Sequence, residues 1–168
     1  MTRFTVTSDG VFQSPTGTVR AALGKGGVKP EADKVEGDGA TPLGVYTLRR
    51  VLYRKDRGDA PTTALPVRAI HSDDGWCDAP DDPAYNRPVR LPYPASCEEM
   101  ARRDELYDIV VVLSHNDDPP VPGKGSAVFL HCAKPGYPPT LGCVALARDD
   151  LEHVLANARP GDTLEIRR

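Results

Sequence analysis

Ile109-Val110-Val111-Val112-Leu113 is a run of five apolar residues, four of them β-branched, with no polar residue to mark a solvent face. Such residues favour extended backbone and pack well on a pleated surface. A short unbroken run of this kind predicts a strand buried on both faces. Downstream, Asn116 to Lys124 reads as a loop and Ala127 to Leu130 as a second buried strand, which delivers His131 and Cys132 at its end. A Pro- and Gly-rich loop follows, and then Thr140-Leu141-Gly142-Cys143-Val144.

The rest of the chain extends the β pattern. Phe4 to Thr7 and Val11 to Gln13 read as strands joined by the turn Ser8-Asp9-Gly10. Thr18 to Leu23 and Val45 to Tyr53 read as further strands. Residues 54–66 and 72–96 are rich in Pro, Gly and Asp and read as irregular. Ser96 as a cap, with Glu98 and Glu99 in a first turn, predicts a short helix to Arg103. Leu151, Val154, Leu155 and Ala158 recur at helical spacing and predict a second helix. Pro160-Gly161-Asp162 ends it, and Thr163 to Ile166 reads as the last strand. No repeat or long linker divides the chain, so residues 1–168 are expected to form one mainly β domain, a sandwich or partly closed barrel with one or two peripheral helices.

Composition narrows the function classes. The net charge of −3 and scattered Lys and Arg leave no basic footprint for nucleic acid or an anionic membrane. Seventeen prolines and fifteen glycines point to many turns and short strands. The first ten residues hold no apolar stretch of the signal-peptide kind, and the expectation is a cytoplasmic protein whose four cysteines are free thiols.

The chemistry lies in His131 and Cys143. A thiol becomes a nucleophile when an imidazole takes its proton. Gly142, directly before the thiol, allows a tight turn, and the N–H groups of Gly142 and Cys143 are expected as oxyanion donors. No Asp or Glu lies near His131 in sequence, so a backbone carbonyl, that of Cys132 being nearest, is expected to set its tautomer. A metal reading would use His131, Cys132 and Cys143 with Cys77 or His115, but the paired spacing of structural zinc ligands is missing. Neither a metal nor a cofactor is expected. By spacing alone a His and a Cys twelve residues apart are more readily a surface His and a buried structural Cys than a catalytic pair.

Two motifs decide between these readings. Residues 125–146, with His131 after an apolar strand and Thr140-Leu141-Gly142-Cys143, resemble the signature of the YkuD-type L,D-transpeptidase catalytic domain. Asp38-Gly39-Ala40-Thr41-Pro42-Leu43-Gly44-Val45-Tyr46 resembles that family's upstream motif. Gly75-Trp76-Cys77-Asp78, Tyr85-Asn86-Arg87 and Leu106-Tyr107-Asp108 resemble its ErfK/YbiS/YcfS/YnhG-type branch. The resemblance implies a mainly β fold. It also implies that Cys143 attacks the carbonyl of the L-centre of the third stem-peptide residue and expels D-alanine, with His131 as base and later acid. Leu141 stands where many members carry His, and Ala145 where many carry Arg or Asn; both departures bear on substrate or acceptor recognition.

Thr140, Trp76, Tyr85, Asn86 and Arg87 are expected to bind substrate, Arg87 by pairing with a stem-peptide carboxylate. Cys132, next to His131 on a strand, is expected to face away from it. Cys77, Cys97, His71 and His115 are expected to be structural. The cytoplasmic setting favours an L,D-carboxypeptidase acting on murein tetrapeptides or muropeptides in peptidoglycan recycling. The alternatives are an L,D-transpeptidase that cross-links peptidoglycan or exchanges D-amino acids, and a non-catalytic peptidoglycan-binding module.

Overall fold

The apolar run at 109–113 is a strand hidden on both faces in the computed structural model, which describes residues 1–168. The strands, in chain order, begin with β1 (Arg3–Thr7), β2 (Val11–Ser14), β3 (Gly17–Ala22), β4 (Val28–Pro30) and β5 (Thr41–Tyr53). Then come β6 (Val67–Ala69), β7 (Asp74–Cys77), β8 (Pro88–Arg90), β9 (Cys97–Glu99) and β10 (Ile109–Leu113). The last are β11 (Phe129–Cys132), β12 (Val144–Leu146) and β13 (Thr163–Arg167), with one α-helix, α1 (Arg148–Ala156), before β13.

Eight strands run in the order β10-β11-β12-β3-β2-β1-β13-β5, and β5 pairs back onto β10, so the ring closes. The expected sandwich or partly closed barrel is therefore a closed barrel, which leaves no edge in the ring. The long β5 makes closure possible. Its first half pairs with β13 and its second half with β10.

Alternation along β10 explains its sequence. Ile109, Val111 and Leu113 point into the main core with Phe4, Phe12, Leu130 and Leu146. Val110 and Val112 point outward into a second apolar cluster with Trp76, Met100, Tyr107 and Phe129. That outer cluster is roofed by a separate three-stranded sheet, β8-β7-β9. Trp76 meets Phe129 edge-on at 4.9 Å between ring centroids. Leu151, Val154 and Leu155 of α1 join the barrel core, as the helical spacing predicts.

The helix expected over Ser96 to Arg103 is not formed. Cys97–Glu99 is a strand paired with β7. The cap-like local signal loses to a sheet partner that the sequence places twenty residues away. β11 starts at Phe129 rather than Ala127, because Ala127 adopts a left-handed φ of 52° that an extended strand excludes.

Candidate active site

β11 and β12 run parallel with Leu130 opposite Val144 and His131 opposite Ala145. Leu130 and Val144 face the barrel interior, so Phe129, His131 and the residues at 143 and 145 face the outer layer. His131 and Cys143 thus share one face and line one cavity of about 570 Å³ between barrel and roof. Cys132 is buried in the interior core instead, its thiol directed toward the Ile109 carbonyl at 4.0 Å. It cannot join a ligand set with His131 and Cys143, and no group of three or more His, Cys, Asp or Glu side chains is placed to hold a metal.

His131 lies within β11, a rigid mount for its imidazole. Its Nδ1 lies 2.8 Å from the Cys132 carbonyl oxygen. A carbonyl can only accept, so Nδ1 carries the proton and Nε2 keeps its lone pair. The Tyr107 ring packs against the imidazole edge-on, with centroids 5.4 Å apart. Burial pushes His131 down to about 4, outweighing the carbonyl bond, which favours the cation.

The Cys143 thiol is nearly buried. Its S–H points to the Ala127 carbonyl at 3.2 Å, and the Phe129 N–H donates to its sulfur at 3.4 Å. Burial pushes it up to about 12, and the Glu98 carboxylate adds to the rise. The resting pair is therefore a neutral thiol and a neutral imidazole.

The turn before the thiol is built by Thr140. Its hydroxyl donates to the Cys143 carbonyl at 2.7 Å and accepts the Gly142 N–H at 3.1 Å. Of the two expected oxyanion donors, the Gly142 N–H is thus already committed, while the Cys143 N–H donates to no oxygen of the protein. Gly142 has a φ of 137°, and a Cβ there would sit 2.9 Å from the Ala40 carbonyl oxygen. The site motif and the upstream motif therefore touch: the 36–40 loop backs the nucleophile turn. Asp38 anchors that loop by accepting from Lys34 Nζ at 2.6 Å and from the Val35 and Ala40 N–H groups at 3.0 and 2.9 Å.

The residues expected to bind substrate divide. Thr140 lines the cavity, but Trp76, Tyr85, Asn86 and Arg87 do not. Arg87 is exposed beside a small pocket of about 50 Å³ on the other side of Trp76. Asn86 is a buried structural hub. Its Oδ1 accepts from the Trp76 indole at 2.9 Å and from the Ala127 N–H at 3.0 Å. Ala127 in turn holds the Cys143 thiol, so Asn86 acts on the nucleophile through the loop. The Tyr85 hydroxyl donates to Glu36 at 2.7 Å and accepts the Gly125 N–H at 2.9 Å, tying the same loop.

Sequence reasoning missed the cavity's charged lining. Lys25, Lys34, Arg102 and Lys134 face Glu36, Asp78 and Glu98. Arg102 grips Asp104 with two bonds of 2.8 and 2.7 Å and lies over the Tyr107 ring at 5.2 Å. Glu98 accepts from the Tyr107 hydroxyl at 2.8 Å, and burial raises its carboxyl above the usual range. These groups come from five separated stretches, which no local spacing connects.

The buried imidazoles set a pH dependence. His115 is pushed down to about 4 like His131, again chiefly by burial. An unfolded histidine binds its proton near 6.5, so between these values the unfolded chain holds the extra protons. Stability is then present at neutral pH and lost as pH falls from about 6.5 through 4, by up to about 3 kcal/mol per histidine. Glu98 acts with the opposite sign, since its raised carboxyl favours the folded state at lower pH. The lowered Asp38 and Asp104 carboxyls act in the same direction as the histidines, so the urea midpoint is expected to drop between pH 7 and pH 4; a flat profile would contradict the neutral buried imidazoles.

Against known proteins, the family model described as YkuD, L,D-transpeptidase catalytic domain, matches residues 2–166. No curated protein matches the chain. Among solved structures, L,D-transpeptidase 1 of Mycobacterium tuberculosis is 15% identical, with 99% of this chain and 59% of that chain covered and a TM-score of 0.44. L,D-transpeptidase 3 of Mycobacterium tuberculosis, in complex with a faropenem-derived adduct, is 15% identical over 99% and 60%, with a TM-score of 0.46. An L,D-transpeptidase from Mycobacterium smegmatis is 16% identical over 99% and 58%, with a TM-score of 0.41. The chain spans about three-fifths of the length of these structures.

Proposed function

The chain belongs to the YkuD family of L,D-transpeptidase catalytic domains, and from that premise we propose that it is a cysteine-dependent L,D-carboxypeptidase that removes the terminal D-alanine from murein tetrapeptides. The observation that carries the reading is the placement of Cys143 and His131 on one face of β11 and β12, in a single cavity of about 570 Å³. Substrate enters beside the thiol and displaces it from the Ala127 carbonyl. His131 Nε2 takes the thiol proton as sulfur attacks the carbonyl carbon. The Cys143 N–H faces the developing oxyanion. His131 then returns the proton to the D-alanine amine, which leaves, and a thioester remains. Water, deprotonated by the same imidazole, releases the tripeptide and restores the thiol.

Water as acceptor is supported by the rim. Leu141 is 78% exposed at the cavity mouth and Ala145 is small, so at these two positions, unlike the carboxylates deeper in the lining, no polar side chain is offered to a second amine. A cytoplasmic setting, with soluble tetrapeptides returned for recycling, goes with this reading. The test is to incubate the purified chain with a murein tetrapeptide, with and without a D-amino acid, and follow mass. Loss of D-alanine unaffected by the added D-amino acid is expected. Turnover only by exchange would sink hydrolysis in favour of transpeptidation, and binding with no turnover would leave a non-catalytic module.

A further inference from the structure

Cys77 and Cys97 are directly opposite each other on β7 and β9. Their position in the ladder follows from its hydrogen bonds. The Asp78 N–H donates to the Ser96 carbonyl at 3.1 Å and the Met100 N–H to the Asp74 carbonyl at 3.0 Å. In an antiparallel pair, bonded and non-bonded pairs alternate. The pairs 78/96 and 74/100 are bonded, so 77/97 is a non-bonded pair, where Cα atoms stand about 4.5 Å apart and side chains lie closest. That spacing falls within the range a disulfide spans. Both thiols are free, Cys77 fully buried and Cys97 partly exposed.

The pair sits where a bond would matter. Trp76 and Glu98, one residue along on each strand, face the barrel: Trp76 packs on Phe129 and Glu98 lines the cavity. Cys77 and Cys97 therefore face the opposite side, and they close the loop 78–96 at its base. That loop carries Asn86, whose Oδ1 holds Ala127, the residue that positions the Cys143 thiol.

We propose that Cys77 and Cys97 form a redox-convertible cross-strand dithiol, a modification site whose oxidant is a low-molecular-weight disulfide. The partly exposed Cys97, as thiolate, attacks one sulfur of the small disulfide and expels one small thiol, forming a mixed disulfide. The Cys77 thiolate then attacks the Cys97 sulfur and expels the second. Two protein thiols give up two protons and two electrons, and the small disulfide is reduced to two thiols. The bond pins the base of the loop that supports the nucleophile turn, without touching Cys143.

The test treats the full chain with oxidised glutathione at pH 8.5–9, because burial pushes the Cys97 thiol up to about 11 and slows exchange at neutral pH. The intact mass is expected to fall by about 2 Da, one pair of hydrogens. Tryptic mapping is expected to join the peptide containing Cys77 to the peptide containing Cys97. The melting temperature is expected to rise by about 5–10 °C and to return on reduction. Cys97→Ser is expected to abolish the link, whereas Cys143→Ser is expected to keep it, so the result is independent of the catalytic reading. A stable glutathione adduct on Cys97 without the link, a link through Cys132 or Cys143, or a link that survives Cys97→Ser would overturn the proposal.

Discussion

Replacing Cys143 with alanine is expected to lower D-alanine release from a murein tetrapeptide by at least about four orders of magnitude, with the fold retained. On the proposed mechanism the thiol forms the covalent intermediate, and no other nucleophile lies on its face of β11 and β12. Cys132, the nearest thiol in sequence to the base, is locked in the barrel interior. His131→Ala is expected to cost about as much, and the double variant no more, since the two groups act as a unit. Stability should change little. The alanine side chain fits the same wall and removes only one sulfur from the outer apolar cluster, a cost of about 1 kcal/mol. Turnover and thermal melting measured on the same preparation separate the two effects. Turnover that survives in a folded Cys143→Ala protein would remove Cys143 as nucleophile.

Much of this site was legible because its chemistry is local in sequence. The run at 109–113 reads correctly as doubly buried, and the structure shows why: alternate residues enter two different cores. The carbonyl that sets the His131 tautomer and the outward-facing position of the base both follow from strand geometry. The roof was not legible. β7, β8 and β9 are three or four residues long, so no periodicity can develop in them. Their pairing depends on partners up to about twenty residues away, and it overrides the helical cap signal at Ser96. The same roof decides the fate of Trp76, Tyr85 and Asn86. As a string of residue types they suggest a substrate clamp; once folded, their polar atoms are spent on each other and on the loop from Gly125 to Ala127. The upstream motif shows the reverse case. Its Asp38 is legible as a motif position, but its work is structural and becomes visible only with Lys34 beside it.

That pairing carries a further large effect. The Lys34 ammonium and the Asp38 carboxylate are 2.6 Å apart, with side chains only 5% and 8% exposed. Burial alone would raise the Asp38 carboxyl, yet the Lys34 bond and the Val35 and Ala40 N–H groups hold it well below the usual carboxylate range. Asp38→Ala leaves the Lys34 ammonium buried with only the Val35 carbonyl as partner, and it strips the acceptor from two backbone donors. The expected cost is about 3 kcal/mol or more, read as a lower urea midpoint. The 36–40 loop would loosen, and with it the Ala40 carbonyl that backs Gly142, so D-alanine release is expected to fall even in the folded fraction. Lys34→Met combined with Asp38→Leu separates charge from shape. It removes both ions together, so it is expected to be less destabilising than Asp38→Ala alone, since no buried charge is left unpaired. It should still fall short of wild type, because the Val35 and Ala40 N–H groups lose their acceptor in either variant. A double variant as unstable as the single one would mean that the ion pair with Lys34 contributes nothing, the loss then lying with the backbone N–H groups and the Lys29 ammonium, 3.3 Å from Asp38.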